Sequence, residues 1–331
     1  MELGYKVEFV PYDDQTDIGT AVEVAKQIFA DPEVLCLVGP SISRTLNQVK
    51  EIYHRAGLAF VSPSATAAYA SASGYPEVNR VVGRHDGQGI AGAQFAKAQN
   101  SSRVFIISQS NDYAQFNAYY FKNEANRLGI EVVGNLTTDE MENFGQIIDR
   151  VQEADAEMVY FSSINVGQAG AFFRQACAAG YMGAFLGNEG IGNPALLEFA
   201  GPLAVEDGGL YYTGITAPAT NYPGAKRFVE DFEKVYGTQP QMFAAQAYDA
   251  AGICMKAIEE AARGGEIPTR NEVAYAIRAL QDYPGITGTF NFNEQGDPDP
   301  AQYFIFQVSS PDPNDWAQNT LLTTIEVGTP D

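Results

Sequence analysis

The chain has 331 residues, 45% hydrophobic and 18% charged, a globular composition with length enough for two domains. Its 41 acidic against 20 basic residues leave a net charge of −21, a surface that repels phosphate backbones and anionic lipid and so excludes nucleic acid and membrane surfaces as partners. No apolar run approaches the roughly 18–20 residues of a membrane span, and 2 histidines with 3 dispersed cysteines exclude His-rich zinc sites and Cys-x-x-Cys clusters.

Apolar runs of strand length alternate with segments of helical period. Tyr5–Pro11 reads as a strand and Gly19–Ala30 as a helix, with Val22, Ala25, Ile28 and Phe29 on one face. Val34–Val38 is a continuous apolar run, as a strand buried on both faces should be. Asn47–Ala56 follows as a helix and Ala59–Val61 as a strand. The cycle repeats through helix Gly89–Ala98, strand Val104–Ser108, helix Tyr113–Leu128 and strand Glu131–Gly134. It continues through helix Phe144–Glu153, strand Met158–Phe161, helix Gly167–Ala179 and strand Ala184–Leu186. Helices resume at Lys226–Tyr236, Ala244–Arg263 and Arg270–Leu280. A hairpin-like end then pairs Gly288–Asn293 with Tyr303–Val308, and the polar tail Ser309–Asp331 is loosely attached. Repeating βα units predict an α/β protein with doubly wound parallel sheets, and their number exceeds one compact sheet, so two lobes are expected.

Gly87-Gln88-Gly89-Ile90-Ala91-Gly92 matches G-x-G-x-x-G, with Asp112 about 20 residues beyond it. The approach Arg80–Asp86 is polar at its end, however, and Asp86 would oppose a pyrophosphate. A helix start is the better reading. Ser62-Pro63-Ser64-Ala65-Thr66 follows one strand and opens the Ala-rich Thr66–Ala72, where backbone N–H groups and a helix dipole would favour an anion. Gly39-Pro40-Ser41-Ile42-Ser43 has the same context one unit earlier, and two adjacent hydroxyl loops suggest a ligand site. Glu189, at the end of another strand, could receive an ammonium. Tyr113 is placed to line a cleft, whereas Phe243 and Tyr248 fall on a helical stretch. No Gly-x-Ser-x-Gly elbow occurs. Cys36, Cys177 and Cys254 lie in apolar or Ala-rich stretches, and their odd number argues against a complete disulfide framework, so buried thiols are expected.

Taken in order, these motifs resemble the substrate-binding proteins of ABC importers for branched-chain amino acids, the leucine/isoleucine/valine-binding type. The landmarks are Tyr12-Asp13-Asp14-Gln15, Val38-Gly39-Pro40 with Ser43, Ser62–Thr66, and Asp86 with Gln88. Glu189-Gly190-Ile191-Gly192-Asn193, Tyr248-Asp249-Ala250, Gly285-Ile286-Thr287-Gly288, Phe292 and Gly296-Asp297 complete them. The resemblance implies a type 1 periplasmic binding fold, two lobes joined by three crossovers and closing on ligand. Lobe one would comprise residues 1–84 and 217–298, and lobe two 87–214 and 299–331. Ser43, Ser64 and Thr66, in the loop with Ser62 and Ala65, would hold an amino acid's carboxylate. Glu189 would receive its ammonium, with Tyr113, Ile164 and Phe243 completing the site. Where such proteins carry aromatics, Ser163-Ile164-Asn165 offers a smaller and more polar contact.

The chain opens on what looks like the family's second strand, so a first strand and helix, and an export signal, are expected to be missing ahead of Tyr5. That strand would sit between Tyr5–Pro11 and Val34–Val38. The implied protein is no enzyme, uses no cofactor or metal, and works as a periplasmic or extracellular monomer that passes an amino acid to membrane permease subunits. A ligand-sensing receptor domain of the same fold is the first alternative, and an NAD-dependent two-domain enzyme the second.

Overall fold

A computed structural model describes residues 6–206 and 209–330. In chain order its first elements are α1 (Ile18–Ala30), β1 (Cys36–Val38), α2 (Ser43–Arg55), β2 (Ala59–Ser62), α3 (Ala68–Ser71) and β3 (Val78–Arg80). Next come α4 (His85–Ala98), β4 (Arg103–Ser108), α5 (Asp112–Arg127), β5 (Glu131–Thr137), α6 (Gly145–Glu153) and β6 (Met158–Ser162). They are followed by α7 (Val166–Ala178), β7 (Ala184–Gly187), α8 (Ala195–Ala200), α9 (Leu203–Glu206) and β8 (Leu210–Gly214). The last are α10 (Lys226–Tyr236), α11 (Ala244–Ala261), α12 (Arg270–Ala279), β9 (Tyr283–Pro284), β10 (Thr289–Phe290), β11 (Ala301–Gln307) and β12 (Thr320–Val327).

The chain divides into two units, Met1–Arg84 with Thr216–Ala301 and His85–Ile215 with Gln302–Asp331, and so passes between them three times. In the first unit β1, β2 and β3 form a parallel sheet in that order. Successive side chains of β2 point to opposite faces. Phe60 therefore packs with Ala25, Ile28, Leu46 and Val49 of α1 and α2. Ala59 and Val61 pack with Ile253, Ala257, Val273 and Ile277 of α11 and α12. The second unit has a seven-stranded sheet in the order β12-β11-β8-β7-β6-β4-β5, parallel from β4 to β8, with β11 antiparallel to β8. Ile106 and Tyr160 face Phe95 and Phe121 of α4 and α5 on one side. Phe161 and Phe185 pack with tilted rings against Phe172 and Phe173 of α7 on the other. Among the described residues no helix is long and apolar enough to cross a membrane.

Several expectations are corrected. Tyr5 lies outside the described residues, and 6–11 forms no strand. Among the described residues no strand pairs with 6–11, and Phe9 stands 82% exposed. No hairpin joins Gly288–Asn293 to Tyr303–Val308: Phe290 pairs with Tyr283 in the first unit, while Phe304–Gln307 pairs with β8 in the second. The tail is not loose, because β12 forms the edge of the seven-stranded sheet. Cys36 and Cys254 are not thiols. They form a disulfide between β1 and α11 across 218 residues, and Cys177, only half-buried, takes no part in it.

Candidate functional site

Ligands of parallel α/β sheets gather at the carboxyl ends of the strands, where backbone groups are released and helices begin. In the second unit the ends of three neighbouring strands, β4, β6 and β7, carry Tyr113, Ile164 and Glu189. Glu189 opens a single 3-10 turn, and Gly190 beside it is required: a Cβ there would lie 2.4 Å from the Ser163 carbonyl and 3.2 Å from Ile164 Cγ2. That approach sets the Glu189 turn against Ile164. The Tyr113 hydroxyl donates to Glu189 Oε2 at 3.3 Å. Burial pushes the Glu189 carboxyl above its ordinary value, against the lowering effect of the Tyr113 bond. Burial, reinforced by the Glu189 charge, raises Tyr113 well above the usual phenol range and keeps it a proton donor. Among the described residues no cation pairs with Glu189.

The residue that assembles this cluster was quoted from the sequence only as a landmark. Gln88 on α4 is fully buried, and its Oε1 accepts from the Glu189 N–H at 3.0 Å and the Thr213 hydroxyl at 3.1 Å, with Nε2 3.5 Å from the Tyr113 hydroxyl. Its one sequence signal is an amide isolated among small residues. Those small residues exist for packing. Gly87, Gly89 and Gly92 lie inside α4, and a Cβ on Gly89 would come within 2.3 Å of the Asn117 carbonyl on α5. The G-x-G-x-x-G match is therefore a helix-packing surface, not a strand-to-helix phosphate turn.

The loop after β6 differs from its expected polar character. Ser163 is buried, with its hydroxyl 3.0 Å from both Gln109 Oε1 and Gln168 Oε1, and Asn165 accepts from the Gln168 N–H to cap α7. What the loop presents is Ile164, 57% exposed.

In the first unit, the loops after β1 and β2 lock together through the predicted hydroxyls. Ser62 donates to the Pro40 carbonyl at 2.6 Å and accepts from the Ala65 N–H at 3.1 Å. Ser64 donates to the Ser41 carbonyl at 2.7 Å. Ser43 Oγ, at the first residue of α2, accepts from the N–H groups of Thr66 at 3.1 Å and Ala67 at 3.2 Å. A hydroxyl accepts two bonds and donates one, so the proton is what Ser43 has left to offer a ligand. Ser62 and Ala65 are buried, and Ser43, Ser64 and Thr66 half-buried. The helix expected over Thr66–Ala72 is only the four-residue α3, too short to supply a dipole at Ser64 or Thr66. Phe243 stands before α11 at φ 67°, a left-handed conformation that costs an aromatic residue about 1–3 kcal/mol. It shares no hydrogen bond or ring contact with the hydroxyl loops. Among the described residues no cluster of acidic, histidine or cysteine side chains could hold a metal.

The sequence pattern described as periplasmic binding protein matches residues 2–313. The leucine-, isoleucine-, valine-, threonine- and alanine-binding protein of Pseudomonas aeruginosa is 29% identical over 298 residues, 89% of this chain and 76% of that protein. A leucine-binding protein from Thermotoga maritima superposes with a TM-score of 0.72 at 26% identity, covering 98% of this chain and 89% of that one. An ABC transporter substrate-binding protein from Desulfitobacterium hafniense, solved with Leu, has the same fold, with a TM-score of 0.78 at 20% identity over 96% of this chain and 89% of that one.

Proposed function

The chain belongs to the periplasmic binding protein family, and from that premise we propose that it captures a free α-amino acid outside the cytoplasm and passes it to the membrane permease subunits of an ABC importer. The observation that carries this reading is Glu189, a half-buried carboxylate whose pKa desolvation raises and whose side-chain partner is a neutral phenol. Such a group gains from a ligand ammonium, because a partly desolvated charge pairs more strongly with a cation than one in bulk water. In the first unit the Ser43 hydroxyl, beside Thr66, offers a donor suited to a carboxylate, and in the second Ile164 offers an aliphatic contact. The Leu-, Ile- and Val-binding relatives support an aliphatic amino acid. The Cys36–Cys254 disulfide supports an oxidising compartment. A net charge of −21 opposes self-association and supports a monomer.

Titration calorimetry with the free L-amino acids tests the proposal. Leucine, isoleucine or valine should bind, and the N-acetylated form of the ligand, which lacks the ammonium, should bind at least about 30-fold more weakly. Absence of binding by every free amino acid would overturn it.

A further inference from the structure

Beneath the hydroxyl loop of the first unit lies a charged pair that no ligand contact requires. Arg80 ends β3 with its side chain 3% exposed, and its Nε is 2.6 Å from Oδ1 of Asp297, 2% exposed. Its Nη1 donates to the carbonyls of Ala65 at 2.8 Å and Ala67 at 3.0 Å. Its Nη2 donates to Ser71 Oγ, which in turn donates to Asp297 Oδ2 at 3.1 Å. Two charges are buried here without a solvent-facing role, and such a pair is weak evidence for stability alone, since an apolar replacement often serves as well.

The geometry points to Arg80 as a positioning residue for the ligand's carboxylate site, with Asp297 and Ser71 holding its guanidinium. This inference rests on the proposed amino-acid reading. A trans peptide carries its C=O and N–H on opposite sides. Pinning the Ala65 carbonyl on Arg80 therefore turns the Thr66 N–H the other way, where it meets Ser43 Oγ. The Ala67 N–H joins it on the same oxygen. With both acceptor positions of Ser43 filled from the loop, its hydroxyl proton is directed outward as a donor. Arg80 thus orients Ser43 through the loop without touching ligand. A lysine could keep the charge against Asp297, but one ammonium lacks the planar fork that reaches two carbonyls, a serine and a carboxylate together. Asp297 serves a second arginine as well: Arg84 Nη1 lies 3.8 Å from its Oδ2. Arg84 is the last residue of the unit before the first crossover, and Asp297 lies four residues before the third.

The test compares leucine with leucinamide, which keeps the ammonium and loses the carboxylate. It uses the wild type, Arg80→Lys, and the milder Ser71→Ala, with Ile107→Val in β4 as a control for general destabilisation. The wild type should prefer leucine by about 30-fold or more. Arg80→Lys should cut that preference at least tenfold by weakening leucine and leaving leucinamide nearly unchanged. Ser71→Ala should cut it several-fold in the same sense, and the control should leave the ratio intact. Hydrogen exchange of the Thr66 and Ala67 amides, measured without ligand, should speed at least tenfold in Arg80→Lys. A folded Arg80→Lys with wild-type preference and wild-type exchange overturns the inference. If Arg80→Lys does not fold, an unaltered ratio and unaltered exchange in Ser71→Ala overturn it. Should the wild type bind neither compound, the amino-acid reading fails, and the exchange data still decide whether Arg80 holds the loop.

Discussion

Replacing Glu189 by glutamine should move ligand affinity and unliganded stability in opposite directions. Glutamine keeps the side chain's shape and an oxygen for the Tyr113 hydroxyl, which donates at 3.3 Å. It removes only the charge. Two unit charges about 4 Å apart attract by about 4 kcal/mol at an effective dielectric of about 20. Stripping water from the incoming ammonium returns part of that, leaving about 2–4 kcal/mol, or roughly 30- to 1,000-fold in affinity. The unliganded protein responds the other way. Burial raises the folded pKa of Glu189 above its ordinary 4.5, so the folded state holds its proton more tightly than the unfolded chain. The stability this confers is present in full below the unfolded value and is lost as pH rises through the folded one. Glu189→Gln should therefore match the wild type in acid and exceed it at neutral pH. Ligand affinity should fall as pH drops through the raised value, with binding releasing protons there. Calorimetry in two buffers of different ionisation enthalpy reads the proton release, and melting curves across pH read the stability. An affinity within about threefold of wild type, or a neutral-pH melting temperature below it, would refute the reasoning.

Removing the disulfide by Cys36→Ser should cost the first unit about 2–5 kcal/mol, because the bridge closes a loop of 218 residues in the unfolded chain. The only tryptophan, Trp316, stacks on Tyr212 in the second unit, so its fluorescence transition should stay in place while part of the circular dichroism transition moves down; a matching shift in Trp316 would show that the two melt together. Asp249→Asn should destabilise the first unit by about 2–3 kcal/mol. The carboxylate accepts from the N–H groups of Ile286 at 2.7 Å and Thr287 at 2.8 Å and from the Thr287 hydroxyl at 2.5 Å, and an amide cannot accept all three equally. A dichroism midpoint unchanged from wild type would remove Asp249 as the anchor of that loop.

What could be read from the sequence depended on how far away a residue's partner lay. The run Met158–Phe161 announces a strand buried on both faces, because each residue needs only a helix on one side or the other, whereas Val34–Val38 yields the shorter β1, half-buried rather than buried on both faces. β3 gives no such signal. Its Val78-Asn79-Arg80 is buried, yet two of the three are polar, and their partners are remote. Asn79 Oδ1 accepts from Arg278 at 2.7 Å, and Arg80 meets Asp297. β12 was hidden for a related reason. Leu322 is 41% exposed, and as an edge strand it shows the apolar pattern only weakly. The cysteines read as thiols because neither carries any local trace of a partner 218 residues off.

The same rule divides the candidate site. Glu189, Tyr113 and the hydroxyl loops stand out because a strand end followed by a small or polar turn is a local pattern. Gln88 and Arg80, whose contacts reach these groups or their loop, belong to no such pattern: one is an amide in a helix packed on α5, the other a cation at the end of a buried strand. Each acts only once strands and helices far apart in sequence have come together. Groups proposed to touch a ligand can therefore be named from neighbouring residues, whereas those proposed to aim them need the fold. The landmarks Asp249 and Gly285 mark the boundary between the two. They lie on separate motifs in the chain, and a Cβ at Gly285 would sit 2.8 Å from the Asp249 carboxylate, so the two motifs are halves of one contact. A glycine there is required because the carboxylate must reach the Ile286 and Thr287 amides past it, and any larger residue would force those bonds apart.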